Sequence, residues 1–329
     1  MKKLNVGKAG VASVVAVGGI LFCGSVCAEE PVGEAAAPAA AEEEETPEGW
    51  RYELGEGVSF GEQSIVSGEF ELAFDSKYLT YGCVDNNDPV LRPKAGVTFF
   101  DWVQFKMEAI YDVTKYGKKC GWDNREWKME EYDPSVRLAH EFTPEDFEWL
   151  PTKVALELGY MYEYHPRAMG GDANGWGDTQ FVWLEASMED LWLEPYFYYE
   201  RDIDRDNGTY FYAEIGHTFS LIDGENEDDD PVLSIRPMIG QGFGNTTRVR
   251  SYLYGPDEEP LDHAGLMDTT FRVDLTWQVA DNVTVGAYVA YVDFLFDRKI
   301  REASRFYESS GRWDESYNFI GGLSVTVGF

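Results

Sequence analysis

Alternation with a period of two dominates this chain. Residues 103 to 113 place Val103, Phe105, Met107, Ala109, Tyr111 and Val113 on one face, against Gln104, Lys106, Glu108 and Asp112 on the other. Residues 154 to 164 repeat the pattern with Val154, Leu156, Leu158, Tyr160, Tyr162 and Tyr164 against Glu157 and Glu163. Phe271, Val273, Leu275, Trp277 and Val279 do so again, opposite Arg272, Asp274 and Gln278. Strict alternation is the mark of a strand with one apolar and one polar face. Runs of about ten residues exceed the five or six usual in soluble sandwiches.

Twelve such segments are expected, near 68–81, 91–99, 102–115, 127–142, 153–164, 179–187, 191–202, 209–219, 232–240, 266–279, 283–296 and 317–329. The connections alternate between short or middling ones, such as 100–101 and 280–282, and longer ones, such as 116–126, 241–265 and 297–316. Short turns at one end and long loops at the other are the layout of an outer-membrane barrel, with the turns periplasmic and the loops extracellular. Lipid satisfies no backbone N–H or C=O, so only helices or closed barrels cross it. Past the N-terminal segment no helix-length apolar run remains. The expected fold class is therefore all-β, a closed antiparallel transmembrane β-barrel of about twelve strands over residues 67–329. Trp102 and Trp277 fall toward the turn end, and Tyr111, Tyr162, Tyr164, Tyr199 and Tyr291 toward the loop end, as in aromatic girdles.

The last strand carries a further signal. Leu323, Val325, Val327 and Phe329 alternate with Ser324, Thr326 and Gly328. This ending resembles the C-terminal assembly signal of bacterial outer-membrane proteins, a porin-like class. The resemblance implies insertion by the barrel-assembly machinery through that strand, and a surround of outer-membrane lipid and lipopolysaccharide.

Lys2, Lys3 and Lys8 precede an apolar stretch from Val11 to Phe22, and Val26 and Ala28 offer a small-residue exit before Glu29. That is a secretory signal peptide over 1–28, with an uncleaved anchor as the second reading. Cleavage takes away three of the 27 basic residues and leaves 24 against 60 acidic ones, a charge of −36. So acidic a chain would repel a phosphate backbone, which excludes a nucleic-acid partner. Residues 29–66 form an acidic lead-in, and 29–48, rich in Ala, Glu and Pro, should be a solvated tether. Cys83 and Cys120 remain after cleavage, and an even pair in an exported chain is expected to form a disulfide.

Catalytic signals are weak. His140, His165, His217 and His263 form no His-x-Ser or His-Glu-x-x-His pattern, and no enzyme activity or cofactor is expected. His165 with Asp172 is a conceivable pair at the mouth, but spacing does not single it out. Asp202, Asp204 and Asp206 partly resemble a calcium loop, but the glycine comes one place late and Asn207-Gly208 suits a tight hairpin. No metal site is therefore assigned, with these three aspartates the weak candidates.

The polar strand faces suggest a divided lumen. Arg92, Lys94, Lys106 and Arg137 would form a basic wall, and Glu157, Glu163, Glu185, Glu194, Glu200 and Glu214 an acidic one. The leading expectation is an outer-membrane channel for ions or small hydrophilic solutes, with carboxylates favouring cations. The alternatives are a non-conducting structural or envelope-tethering barrel and a barrel-embedded hydrolase.

Overall fold

The computed structural model describes residues 50–53, 57–60, 63–114, 128–166, 178–224, 230–255, 259–309 and 317–329. Twelve strands make the barrel: β3 (Gln63–Asp75), β6 (Val90–Phe99), β7 (Val103–Asp112), β8 (Lys128–Phe142), β9 (Val154–Glu163), β10 (Thr179–Ser187), β11 (Tyr196–Asp202), β12 (Thr209–Gly216), β14 (Leu233–Gly244), β15 (Gly265–Ala280), β16 (Val283–Asp293) and β17 (Tyr317–Gly328). Each pairs antiparallel with the next, and β17 pairs with β3 to close the sheet. Closure leaves no open edge in the ring. Smaller strands are attached to it. β1 (Trp50–Glu53) and β2 (Gly57–Phe60) form a hairpin beside the start of β3, and β13 (Phe219–Ile222) pairs with the start of β14. β4 (Tyr78–Thr80) and β5 (Cys83–Asn86) make a separate two-stranded lobe in the first long loop.

All twelve expected segments are strands, with three differences that have local causes. The lead-in assigned to 29–66 contains β1, β2 and the start of β3. The first segment leaves the wall after Ser76, whose N–H makes a last bond to Gly321 O on β17, and Tyr78–Thr80 pairs with Cys83–Asn86 in the lobe. The segment begun at 191 starts at Tyr196, because Glu194 takes a left-handed φ of 40° and Pro195 cannot donate to a ladder. The apolar residues there, Trp192 and Leu193, are exposed turn residues, not strand ones.

The long loops hold helices that period-two reasoning does not reveal. α1 (Thr246–Tyr252) follows β14 directly and is N-capped by Asn245, whose side chain accepts the Arg248 N–H. α2 (Arg298–Ser309) follows β16 and starts at Asp297, whose Oδ1 accepts the N–H of Lys299 and Ile300. Val249 and Leu253 from the α1 region, Ile300 and Ala303 from α2, Cys83 from the lobe, Phe294, and Tyr210 and Met267 from the wall pack into one buried apolar cluster. An apolar core in this barrel thus sits at the long-loop end, between loops and wall.

Outside, the sheet is apolar. Phe70, Leu72, Phe105, Met107, Leu158, Phe271, Val273, Val289, Leu323 and Val325 are all exposed on outward faces. Trp102, Trp149 and Trp192 stand exposed at the turn end. Large apolar side chains covering the outer surface of a closed sheet are what a bilayer requires and water penalises.

Candidate functional site

The inward residues divide into two zones along the axis. Toward the turn end, cations and carboxylates alternate across strands. Lys94 reaches Glu71 at 2.9 Å and Lys106 reaches Glu69 at 3.1 Å, while Arg92, nearer the long-loop end, reaches Asp75 at 2.9 Å and Glu108 at 2.6 Å. Arg137 meets Glu157 at 2.9 Å with side chains 24% and 22% exposed, and Arg236 bridges Glu194 at 2.8 Å and Glu214 at 2.9 Å. Arg272 and Asp274 pair at 2.6 Å.

Arg92, Lys94, Lys106 and Arg137 of the expected basic wall are each matched by an acid on a nearby strand. Among the described residues these charges form an interleaved ladder of ion pairs. The physical reason is short range: residues opposite one another on adjacent strands have Cβ atoms about 5 Å apart, so charges pair sideways before they act across the lumen. Glu157, Glu185, Glu200 and Glu214 face inward on β9 to β12, and Glu163 faces inward at the end of β9. Glu194 lies instead in the turn before β11. There burial would raise its carboxyl, but Arg236 and the Thr218 N–H and hydroxyl hold it below the usual range.

A steric device keeps an aromatic in this zone. Gly159 faces the Trp183 ring so closely that a Cβ on it would meet ring carbons at about 2.0 Å. The freed space lets the indole N–H donate to Glu157 at 3.1 Å and lie 5.4 Å from the Arg137 guanidinium.

Toward the long-loop end the lumen is filled. Asp75, Asp112, Glu131, Asp133, Glu200, Asp202, Asp268, Asp293 and Asn318 are buried there, all near one end of their strands. The centre of this zone is Arg248 of α1, 1% exposed, which donates to Glu200 at 3.0 Å and to Gly208 O at 3.4 Å. Its guanidinium lies 4.6 Å from the Tyr81 ring and 5.4 Å from that of Phe181. Burial alone would pull this guanidinium down, but Tyr81, Glu200, Tyr252 and Asp206 hold it above its ordinary range. The Tyr81 hydroxyl, itself pushed up by burial, also donates to Glu200. Within the 241–265 segment, α1 thus packs into the mouth.

Other candidates have structural partners. Asp202 Oδ1 accepts the N–H of Asp204 and Arg205, its Oδ2 accepts the Thr179 hydroxyl, and Asp206 accepts the Gly208 N–H and the Ser251 hydroxyl. Asn207 has a left-handed φ of 56°. These aspartates therefore build the hairpin. Cys83 is buried in the apolar cluster, and burial pushes its thiol up; Cys120 lies outside the described residues, and so does Asp172.

A closed sheet, an apolar outer belt and a charged interior decide the architecture. The chain is a twelve-stranded membrane barrel. No family model matches it, and no curated protein matches it. Among solved structures it is similar to an outer membrane channel from Pseudomonas putida F1, at 10% identity and a TM-score of 0.45, covering 87% of this chain and 100% of that one. It is similar to the KdgM porin in complex with disordered oligogalacturonate, at 11% identity and 0.42, over 80% and 99%. The NanC porin gives 11% and 0.40, over 79% and 98%. At such values the likeness extends no further than barrel architecture.

Proposed function

We propose that this chain is a bacterial outer-membrane channel for ions or small hydrophilic solutes, with a mild preference for cations. One observation carries the reading: the turn-end half of the lumen is lined by ion pairs whose side chains remain partly open to water, as with Arg137 and Glu157. A barrel built only to be closed has no need of a wet charged face. Carboxylates that line a pore favour cations, and the pairing described above makes that preference weaker than the net charge alone would suggest. The reading includes export through a signal peptide cleaved after Ala28, 29–48 as a spacer, and a Cys83–Cys120 disulfide. It includes assembly through β17 and lipopolysaccharide around the rim, and it assigns the chain no catalytic step.

A second reading, a non-conducting structural barrel, is favoured by the filled long-loop half. Planar-bilayer recording of wild type and of Leu253→Ala, which loosens α1, separates the two. The channel reading expects sparse openings in wild type and more frequent ones in the variant; silence in both favours the structural barrel. Under a KCl gradient, replacing Glu157, Glu194 and Glu214 by Gln should reduce cation preference. An anion-selective wild type would overturn the selectivity.

A further inference from the structure

Among the described residues, ion pairing leaves the acids at the loop end of β8 and β9 without a lysine or arginine. β8 and β9 pair in a continuous register, with Ser135 opposite Met161 and Tyr132 bridged to Tyr164. The same register sets Asp133 opposite Glu163 and Glu131 opposite His165, four neighbours on the inward face. Carboxylates directly opposite one another repel, and buried ones are costly unless a cation or proton lies between them. Among the described residues no lysine or arginine pairs with any of the three.

The atoms converge. His165 Nε2 lies 3.4 Å from Glu163 Oε1 and 3.6 Å from Glu131 Oε2, and one ligand atom from each residue falls within 4.8 Å of the others. The second Glu131 oxygen, Oε1, is held by the Tyr78 hydroxyl at 3.1 Å, which turns Oε2 toward the imidazole. Asp133 supplies an independent sign. It is 7% exposed, and its Oδ1 is buried with no partner.

A protonated His165 would offset one of these three charges and leave Asp133 unanswered. A divalent ion would offset two of the three, against one for the imidazolium. Bonds of about 2.0–2.2 Å to nitrogen and carboxylate oxygen place ligand atoms roughly 3.3 Å apart in a tetrahedron, close to the spacings seen. The imidazole argues against calcium and magnesium, which take oxygen ligands, and for zinc or a similar first-row ion.

We propose that Glu131, Glu163 and His165 form a binding site for a divalent transition-metal ion of the zinc type, with the buried Asp133 carboxyl adjoining it. Tyr78 orients Glu131 from outside the ligand set and ties the β4–β5 lobe to the site. Occupancy would clamp the first long loop to the wall at β8 and β9. The site is independent of whether the barrel conducts.

Calorimetric titration of zinc chloride into the full-length mature protein in detergent micelles tests this. Wild type should bind one equivalent tightly. Glu163→Gln and His165→Ala should each weaken binding at least tenfold, and Tyr78→Phe by about tenfold. A heat-modifiable folded band must be retained in each variant; a His140→Ala/His217→Ala/His263→Ala variant, which should bind as wild type does, keeps the test valid if a ligand variant fails to fold. Absence of zinc binding by folded wild type would overturn the proposal. So would loss of binding in the three-histidine variant while His165→Ala binds normally. Calcium binding that equals zinc binding and ignores His165→Ala would overturn the choice of metal.

Discussion

The two ends of the lumen hold similar residues in opposite states. At the turn end, Arg137 and Glu157 pair at 2.9 Å while about a quarter of each side chain stays open. At the loop end, Arg248 and Glu200 pair at 3.0 Å with almost nothing open. Water makes the difference. A half-open pair is worth about 0–1 kcal/mol because solvent competes for both charges. A buried pair gains little as a unit, yet breaking it strands a charge at a cost of about 3–5 kcal/mol. The loop end is therefore where stability is concentrated, and the turn end is where charge can be altered cheaply.

The largest effect should come from Arg248→Ala, which leaves Glu200 buried with only hydroxyl donors from Tyr81 and Tyr198. A loss of about 3–5 kcal/mol is expected, read as a lower urea midpoint for the shift between folded and unfolded gel bands. An unchanged midpoint would mean that the mouth is not packed as described. Next is the proposed Cys83–Cys120 bond, which would close a loop of about 37 residues and contribute roughly 3–4 kcal/mol. Non-reducing mass spectrometry should find the cross-link, and two free thiols would remove the covalent part of the loop-end stability.

A smaller effect belongs to Asp297, the N-cap of α2. Burial would raise its carboxyl, but the bond from His263 at 2.8 Å and the Ile300 and Lys299 N–H groups hold it below its ordinary value. With a depressed folded value, its contribution is fully present above the unfolded carboxyl range near pH 4. It is lost as pH falls through the lower folded value. Hydrogen exchange of α2 amides should accelerate only in that acidic window, and Asp297→Ala should cost about 1 kcal/mol at neutral pH. Smallest in stability is Arg137→Met, at most about 1 kcal/mol. Its reversal potential should nonetheless move toward stronger cation preference, since Glu157 then stands uncompensated. A large fall in stability here would erase the contrast between the two ends.

The barrel was legible because its determinant is local: alternation along each strand sets which face meets lipid, and loop lengths set which end is which. The site was only partly so. Side-chain direction follows from alternation, which is why the sequence alone puts Arg92, Lys94, Lys106 and Arg137 on the polar face. Pairing depends on register, and a strand read alone carries none. Glu131-x-Asp133 and Glu163-x-His165 are unremarkable segments until β8 and β9 are aligned, and then they form a square. Arg248 lay further out of reach. It sits in a short helix whose burial depends on loops distant in sequence, and no period-two pattern marks it. Glu194 misled for the reverse reason, since an apolar turn at the membrane interface alternates without being a strand.

The seam between β3 and β17 has a consequence for how the ring comes to exist. Eleven of the twelve junctions join barrel strands that follow one another along the chain, whereas this one pairs Leu72 with Val325. A connection of roughly 250 residues costs about 4 kcal/mol more to close than a three-residue turn, on polymer statistics. Until it closes, β3 and β17 are two bare edges able to accept any strand nearby. Gly68 suits the last step. Its N–H and C=O exchange bonds with Phe329 at 2.7 and 2.9 Å, and the Phe329 ring occupies the space that a Cβ on Gly68 would need. The seam works as a clasp, and a bulkier residue at position 68 would obstruct its fastening while leaving every hairpin able to form.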